Sequence, residues 1–261
     1  MNRIKRLFRQ LRDQHRCGII AYVTCGDPDR ETTVGIIEEL IAAGASAIEL
    51  GIPFSDPIAD GPVIQAAAQR ALTGGTTTDD VFAIARAIRA KSDVPLIAFS
   101  YLNPVMRYGA ERFALAAADA GIDATLITDL PPEAAADLRG TLRKHGLGMI
   151  FLLSPTSSDK RIAAIDRASD GFVYYVSTTG VTGARRELDP ALLDRLGEIR
   201  ARLKNPIAVG FGISRHEHYE LLRDRCDAIV IGSAIVRAIA EGDREGAAAR
   251  AGAVVRAVAG A

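Results

Sequence analysis

The sequence lacks the features that mark several common classes of protein. Its 261 residues include 32 basic and 32 acidic side chains, which leaves no net charge and no basic stripe for nucleic acid. No apolar run approaches the roughly 18 residues that a membrane-spanning helix needs. The three cysteines, Cys17, Cys25 and Cys226, form no CxxC pair, and this odd set favours small core residues in a reducing compartment. We therefore expect a cytoplasmic protein that binds neither nucleic acid nor membranes.

What the sequence does contain is one recurring pattern: a short apolar run, a loop rich in glycine, proline or aspartate, and an amphipathic helix. The runs predict eight strands, at residues 18–24, 47–50, 95–100, 124–128, 149–153, 171–177, 206–210 and 228–231. Eight strand–helix units in about 250 residues predict an α/β fold, a (β/α)8 TIM barrel. No linker divides the chain, so we expect a single domain over residues 1–261. A basic, amphipathic segment before the first strand predicts an extra N-terminal helix.

The competing α/β fold is a doubly wound open sheet. It is disfavoured because no predicted strand runs into a GxGxxG turn that opens a helix. Continuous apolar strands are typical of parallel strands that helices cover, and both folds share this property. Helices are predicted at residues 29–43, 62–72, 78–90, 111–120, 159–168, 190–203, 214–222, 236–240 and 244–258, and one more runs from the prolines at 131–132 to residue 144.

In a barrel, the loops that follow the strands form the functional face. The polar residues at these positions are Asp27, Glu49, Asp56, Asp60, Tyr101, Asn103, Asp129 and Ser154. The five lysines and four histidines fall instead in helices or on the opposite loops, and His216 and His218 are expected to be solvated. A Schiff-base aldolase needs a lysine at a strand end, and no histidine–carboxylate cluster has metal-ligand spacing. We therefore expect carboxylate acid–base chemistry, with no metal and no cofactor on this chain.

Three carboxylates lie in residues 47–65, a stretch that begins as an apolar strand and continues as a loop rich in glycine and proline. Glu49 interrupts the strand, and Asp56 and Asp60 lie on the loop. A buried carboxylate is costly unless it is paired or protonated, and burial raises a glutamate pKa to roughly 6–7, a range suited to acid–base catalysis. The alternative is structural: Glu49 caps a sheet edge, and the two aspartates satisfy turn amides.

Glycine-rich turns follow the seventh and eighth predicted strands, at residues 209–214 and 231–234. Glycines let backbone N–H groups approach an anion, and a helix N-terminus adds partial positive charge. Barrels commonly bind phosphate at these two loops, so the turns predict a phosphate site, with simple turn glycines as the alternative. The polar segment at residues 178–185 predicts a mobile lid over a ligand, with a surface loop of no function as the alternative.

Residues 48–65, IELGIPFSDPIADGPVIQ, resemble the corresponding segment of the tryptophan synthase alpha subunit. GVTG at 180–183, GFGIS at 210–214 and GSAIV at 232–236 follow in the order that this family shows, so the resemblance covers essentially the whole chain. It implies a retro-aldol cleavage of indole-3-glycerol phosphate to indole and glyceraldehyde 3-phosphate. It also implies an αββα heterotetramer whose beta subunit joins the indole to serine, with pyridoxal phosphate bound on that partner only.

The resemblance also implies roles for individual residues. Glu49 handles the proton at C3 of the indole and the proton of the adjacent hydroxyl, Asp60 faces the indole N–H, and Tyr174 matches the active-site tyrosine. The implied phosphate contacts are Gly183, Phe211, Gly212, Gly232 and Ser233. The implied walls of the indole pocket are Tyr22, Ile64, Phe99, Leu126 and Leu152, and the implied contacts with the beta subunit are Pro53, Asp56 and Asn103.

Two positions depart from the family pattern, and three other functions stay open. Thr178 stands where some relatives carry arginine, and Tyr22 stands where phenylalanine is common. The other functions are a stand-alone indole-3-glycerol phosphate lyase, a phosphate-binding barrel isomerase and a non-catalytic activator of the beta subunit. The spacing of Glu49 and Asp60 and the missing strand-end lysine disfavour the isomerase, and the two retained carboxylates disfavour the activator.

Overall fold

Parallel strand segments form one closed sheet in the computed structural model, which describes residues 2–176, 190–210 and 212–260. Within these ranges the segments are β1 (Gly18–Thr24), β2 (Ala47–Gly51), β3 (Leu96–Ser100), β4 (Ala124–Ile127), β5 (Gly148–Ile150), β6 (Leu152–Leu153), β7 (Val173–Val176), β8 (Ile207–Gly210) and β9 (Ala228–Ile231). Their order is β5-β4-β3-β2-β1-β9-β8-β7-β6, and Phe151 alone separates β5 from β6. The two ends of the order are thus pieces of one strand, so the sheet closes as an eight-stranded barrel. The TIM-barrel prediction is confirmed, and the doubly wound alternative is wrong.

Helices surround the barrel, mostly within about three residues of their predicted bounds. In the described ranges they are α1 (Arg3–Asp13), α2 (Arg30–Ala42), α3 (Pro62–Thr73), α4 (Thr78–Arg89), α5 (Leu102–Tyr108), α6 (Ala110–Asp119), α7 (Ala136–Lys144), α8 (Asp159–Ala168), α9 (Pro190–Arg200), α10 (His216–Leu222), α11 (Ser233–Ala240) and α12 (Ala247–Ala259). The prediction missed α5, because seven residues are too few to show a helical period. The helix predicted after the prolines begins only at Ala136, behind a 3-10 turn at Pro132–Ala134.

The first helix closes the amino-terminal end of the barrel. Its N-cap is Asn2, whose side chain accepts a hydrogen bond from the Ile4 N–H at 2.8 Å. Ile4 and Phe8 pack among the inward-facing strand residues, and the rings of Phe8 and Phe172 lie 5.4 Å apart. The predicted N-terminal helix is confirmed. Its position leaves the other end of the barrel, at the carboxyl ends of the strands, for the candidate site.

Both faces of the strands are buried, which explains their continuous apolar sequences. All seven residues of β1 are buried: Ile19 and Ala21 pack against the helix layer, whereas Ile20 and Tyr22 face the interior. Burying an aliphatic side chain of this size contributes about 1.5–3 kcal/mol. Closure has a separate effect: it leaves no edge strand with unpaired backbone N–H and C=O groups.

Two expectations about isolated residues can be compared with the fold. The three cysteines are buried, as predicted. The prediction that His218 is solvated is wrong: only 3% of it is exposed, because it lies on the face of α10 that turns toward the core. His216 is partly exposed, and its Nδ1 lies 3.0 Å from the Val258 carbonyl oxygen. Among the described helices, none is long and apolar enough to cross a membrane.

Candidate active site

Glu49 lies at the centre of the barrel interior. It is the third residue of β2, where register places it between Tyr22 on β1 and Ile97 on β3. Its side chain is fully buried, and neither carboxyl oxygen has a hydrogen-bond partner among the described residues. Burial raises the pKa of Glu49 to about 8, above the 6–7 expected from sequence, because no cation or N–H donor in the described part of the chain offsets desolvation. At pH 7 the group is therefore mainly a neutral acid, and it does not cap a sheet edge.

Asp60 lies on the loop between β2 and α3, and the Tyr101 hydroxyl holds it. Tyr101 donates a hydrogen bond to Asp60 Oδ2 at 3.0 Å and accepts one from the Ala59 N–H at 2.9 Å. Gln65 Nε2 donates to the Asp60 carbonyl oxygen at 2.8 Å. Burial raises the pKa of Asp60 to about 6, and the Tyr101 hydrogen bond opposes that rise. At pH 7 this carboxyl is mainly ionised, so the two carboxyls differ in charge.

Tyr101 is the residue that sequence reasoning did not place in the site. It directly follows β3 and is 3% exposed. The available signal was its position among the polar strand-end residues, but nothing in the sequence indicated a contact with a loop 41 residues away.

Replacing Tyr101 by phenylalanine is expected to raise the pKa of Asp60 further, because the donor that favours its ionised form is removed. The acid limb of the pH–rate profile should move to higher pH, and the protein should lose about 1 kcal/mol of stability. The pH dependence of kcat measures the first effect. Tyr108→Phe is the matched control, since the Tyr108 hydroxyl donates to Asp79 instead. An acid limb that stays in place in Tyr101→Phe would show that Tyr101 does not tune Asp60.

Two tyrosines, one on β1 and one on β7, complete the interior beside the carboxyls. Tyr22 on β1 and Tyr174 on β7 have pKa values raised well above the ordinary tyrosine range. Burial is the main cause in both, and the negative charges of Asp60 and Glu49 add to it. Both phenols therefore stay protonated and can donate hydrogen bonds. The predicted catalytic residues Glu49, Asp60 and Tyr174 thus share one electrostatic environment.

Glycines on the adjacent strands make room for these two rings. A Cβ at Gly51 would lie 2.3 Å from the Tyr22 hydroxyl oxygen, and a Cβ at Gly210 would lie 2.6 Å from that of Tyr174. Any side chain at either position therefore displaces a tyrosine. The Tyr22 hydroxyl lies over Gly51 and 3.3 Å from Thr24 Oγ1.

Gly51→Ala is expected to cost about 1–3 kcal/mol, because the added methyl group overlaps the Tyr22 ring in a filled interior. Denaturant unfolding of the purified variant measures the change. Gly35→Ala is the matched control: its Cβ would meet no heavy atom within 4 Å, and it lies in α2, so a gain of about 0.5–1 kcal/mol is expected. Equal stability of Gly51→Ala and the parent chain would contradict the predicted overlap.

The five predicted indole-pocket residues lie in two hydrophobic clusters, and Phe99 belongs to both. Tyr22, Ile64 and Phe99 pack together at the mouth of the barrel, and the Tyr22 and Phe99 rings make an edge contact at 5.2 Å. Phe99 also packs with Leu126 and Leu152 in the interior cluster, and β3–β4 register pairs Phe99 with Leu126. These residues give an apolar wall around the carboxyls, which suits an aromatic ring.

The predicted phosphate residues are described in part. Gly212 follows β8 with a φ of +66°, and Gly232 is the N-cap of α11, which begins at Ser233. No side chain among the described residues caps this helix, so within that part of the chain its first N–H groups and partial positive charge are available to an anion. Gly183, Phe211, Thr178 and the predicted lid at residues 178–185 lie outside the described residues.

The three predicted beta-subunit contacts line one groove on the outer surface. Pro53, Asp56 and Asn103 border a cavity of about 480 Å³ together with Phe54 and Arg107. Two large apolar side chains lie exposed on the same elements: Ile58, on the loop that carries Asp56, is 84% exposed, and Met106, on α5, is 56% exposed. Exposed apolar side chains around a groove are typical of a protein–protein contact.

The side chains that other catalytic mechanisms would need lie away from this site. Lys5, Lys144 and Lys160 lie on α1, α7 and α8, whereas Lys91 and Lys204 lie on loops that precede strands. The expectation that no lysine occupies a strand end is confirmed, which removes the Schiff-base mechanism. Asp27 and Asp129 have structural roles: Asp27 forms a paired hydrogen bond with Arg70, and Asp129 accepts from the Leu102 N–H. In the described part of the chain, no group of three or more His, Cys, Asp and Glu side chains could hold a metal.

Comparison with known proteins identifies the family. The family profile of the tryptophan synthase alpha chain matches residues 8–259. The alpha chain of Solibacter usitatus is 51% identical over 92% of this chain and 90% of its own length. A crystal structure of the Legionella pneumophila alpha chain superposes with a TM-score of 0.91 at 36% identity, covering 99% of this chain and 96% of its own. A tryptophan synthase complex from Pyrococcus furiosus includes a chain with a TM-score of 0.87 at 37% identity, and the match covers 94% of this chain and 98% of that one.

The chain belongs to the tryptophan synthase alpha chain family. The predicted family is confirmed, and so is the predicted enzyme class, a lyase that catalyses the alpha reaction of tryptophan biosynthesis. The barrel isomerase is wrong.

Proposed function

We propose that Glu49 and Asp60 cleave indole-3-glycerol phosphate to indole and glyceraldehyde 3-phosphate by a retro-aldol reaction. The observation that carries this proposal is the difference between two carboxyls that face one apolar interior: the pKa of Glu49 is about 8 and that of Asp60 is about 6. Near pH 7 one is an acid and the other an anion. Pairs of carboxyls whose environments separate their pKa values are typical of acid–base sites.

Glu49 acts as a proton shuttle in this mechanism. Its carboxyl donates a proton to C3 of the indole, which interrupts the aromatic ring and leaves positive charge at the nitrogen. The resulting carboxylate then takes the proton from the glycerol hydroxyl beside the C3–carbon bond. That bond breaks, its electron pair returns to the ring, and the hydroxyl-bearing carbon becomes the aldehyde. The proton given to C3 is balanced by the proton taken from oxygen, so Glu49 ends in its starting state.

Asp60 stabilises the charge that develops in the ring. As an anion it accepts the indole N–H and lies opposite the positive nitrogen, which lowers the barrier more in a dry interior than in water. Tyr174 donates a hydrogen bond near the reacting hydroxyl. The phosphate binds at the N-terminus of α11, near Gly232 and Ser233, with Gly212 as a further contact. Gly183 and Phe211 are the remaining contacts that the resemblance implies.

A beta subunit is the proposed partner of this alpha chain, in an αββα assembly with pyridoxal phosphate on the partner. The support is the groove lined by Pro53, Asp56 and Asn103, together with the Pyrococcus furiosus relative, whose structure is a tryptophan synthase complex. The loop that lines this groove also carries Asp60, so binding of the beta subunit at the groove can change the position of Asp60 in the active site. We also propose that the whole chain acts as one domain in the cytoplasm; the three free thiols in the structure support a reducing compartment.

The test is indole release from indole-3-glycerol phosphate by the purified chain, alone and with a relative's beta subunit. Slow release alone and strong acceleration by the beta subunit are expected. Full activity without the partner would favour the stand-alone lyase. No release under either condition would favour the non-catalytic activator and reject the proposed chemistry.

Asp56→Ala is expected to reduce the stimulation factor, the ratio of rates with and without the beta subunit, by about 5–30-fold. Asp56 is exposed at the groove, where it offers a negative charge to a partner. The ratio of steady-state rates measures the effect. Asp13→Ala is the matched control, because Asp13 is an exposed aspartate on α1 at the opposite end of the barrel. A stimulation factor equal to that of the parent would place the docking surface elsewhere.

A further inference from the structure

Two of the three buried thiols lie side by side at the amino-terminal end of the barrel. Cys17 directly precedes β1, Cys226 lies two residues before β9, and their Sγ atoms are 3.8 Å apart. Both side chains belong to the cluster between the strands and the helices, and they are 5% and 2% exposed. The proposed reaction uses neither.

The backbone around this pair suits a disulfide. β1 and β9 are parallel neighbours with Gly18 aligned to Ala228, and the Gly18 N–H donates to the Asp227 carbonyl at 2.9 Å. Cys17 and Cys226 are therefore one step off direct register, which corresponds to a Cα separation of about 6 Å, inside the disulfide range. The two sulfurs need to approach by roughly 1.8 Å, which small side-chain rotations supply.

A polar cavity borders one residue of the pair. The cavity holds about 350 Å³ and is lined by Cys17 together with Arg16, Tyr219 and Arg223. Contact with Cys17 and burial both raise the pKa of Cys226, which lies behind Cys17 and donates its S–H to the Leu222 carbonyl. Cys17 borders this cavity and Cys226 is not among its lining residues, so Cys17 is assigned as the thiol that meets the oxidant and Cys226 as the one that resolves it.

We propose that Cys17 and Cys226 are an oxidation site that forms a reversible disulfide on contact with a peroxide. The Cys17 thiol loses its proton, and its sulfur attacks one peroxide oxygen, which breaks the O–O bond and gives a sulfenic acid and hydroxide. The sulfur of Cys226 then attacks the sulfur of Cys17, and the leaving hydroxyl departs with the Cys226 proton as water. Two thiols lose two electrons in total, and the peroxide is reduced to two waters.

The bond has a structural consequence, because it joins residues 209 positions apart in sequence. It ties the first strand of the barrel to the last, at the seam where the chain closes on itself. In the chain-entropy account, a cross-link that encloses so long a loop restricts the unfolded chain strongly. The oxidised protein should therefore unfold at a higher temperature than the reduced protein, and a dithiol reductant should reverse the gain.

Treatment of the purified protein with dilute hydrogen peroxide tests the proposal. Thiols titrated after denaturation should fall from three to one, and mass spectrometry should find a proteolytic peptide that links residues 17 and 226. The midpoint of thermal unfolding should rise by about 5 °C or more and return after reduction. Three remaining thiols, or loss of thiols without the linked peptide, would overturn the proposal.

Variants that each lack one cysteine distinguish formation of the Cys17–Cys226 disulfide from oxidation at other positions. Cys17→Ala and Cys226→Ala should each lose both the linked peptide and the reversible rise in midpoint. Cys25→Ala is the matched control: Cys25 is equally buried but follows β1 at the opposite end, so the linked peptide should still form. A thermal rise that survives in Cys226→Ala would also overturn the proposal. None of these readouts depends on indole release, so a failure here is distinct from a failure of the proposed function.

Discussion

Replacing Glu49 by glutamine is expected to lower kcat for indole release by about 10²–10⁴-fold, with a much smaller change in KM. The amide keeps the shape of the carboxylic acid but can neither give a proton to C3 nor take one from the hydroxyl. Steady-state rates in the presence of a beta subunit measure the effect. Glu38→Gln is the matched control, because Glu38 is a partly exposed carboxylate on α2 that pairs with Lys91.

The protein should remain folded in this variant, which makes the rate interpretable. Since burial raises the pKa of Glu49 to about 8, its side chain is already uncharged at pH 7, and glutamine replaces one neutral group by another. A kcat within about threefold of the parent would exclude Glu49 as the proton shuttle. In that event the acid must be sought elsewhere in the interior, with Tyr174 the next candidate.

The same substitution is expected to make the stability of the protein less sensitive to a rise in pH from about 5 to about 8. The pKa of Glu49 is about 8 in the folded chain against 4.5 for an unperturbed glutamate, so between these values the folded state binds more protons than the unfolded state. Stability from this group is therefore present at low pH and is lost as pH rises through about 8. Glu49→Gln has no such group, and its stability relative to the parent should grow by about 4 kcal/mol between about pH 5 and about pH 9.

Denaturant unfolding of the parent and Glu49→Gln at several pH values measures this difference directly. Asp60 also has a raised pKa, but it is present in both proteins and its effect on the difference largely cancels. A difference that stays flat across this range would mean that the folded pKa of Glu49 lies near its unperturbed value. The acid in the proposed mechanism would then need another source.

The main outline of this molecule could be predicted from sequence because its strongest signals are local. Each strand is an apolar run bounded by chain breakers, and burial on both faces of the sheet makes that run continuous. Glu49 could be identified from the sequence for the same reason, because it is the one charged residue inside such a run. The loop motifs after β2, β8 and β9 are likewise contiguous in sequence.

What sequence could not supply depends on contacts between distant residues. The bond from Tyr101 to Asp60 spans 41 positions, and the approach of Cys17 to Cys226 spans 209. The burial of His218 depends on which face of α10 turns toward the core, which its own short sequence does not specify. The prediction of helices from periodicity also missed α5. This helix has only seven residues, and packing against its neighbours rather than its length stabilises it.

The contact between Gly51 and the Tyr22 ring limits the order in which this barrel can change over evolutionary time. While tyrosine occupies position 22, a side chain at position 51 is harmful, because its Cβ would fall within 2.3–2.9 Å of the ring and hydroxyl. Once a smaller residue stands at position 22, the same substitution at position 51 fills space instead. The effect on stability of a substitution at position 51 thus changes sign according to whether Tyr22 has already been replaced. Descendants of this chain that carry a side chain at position 51 should therefore all have lost the tyrosine beforehand.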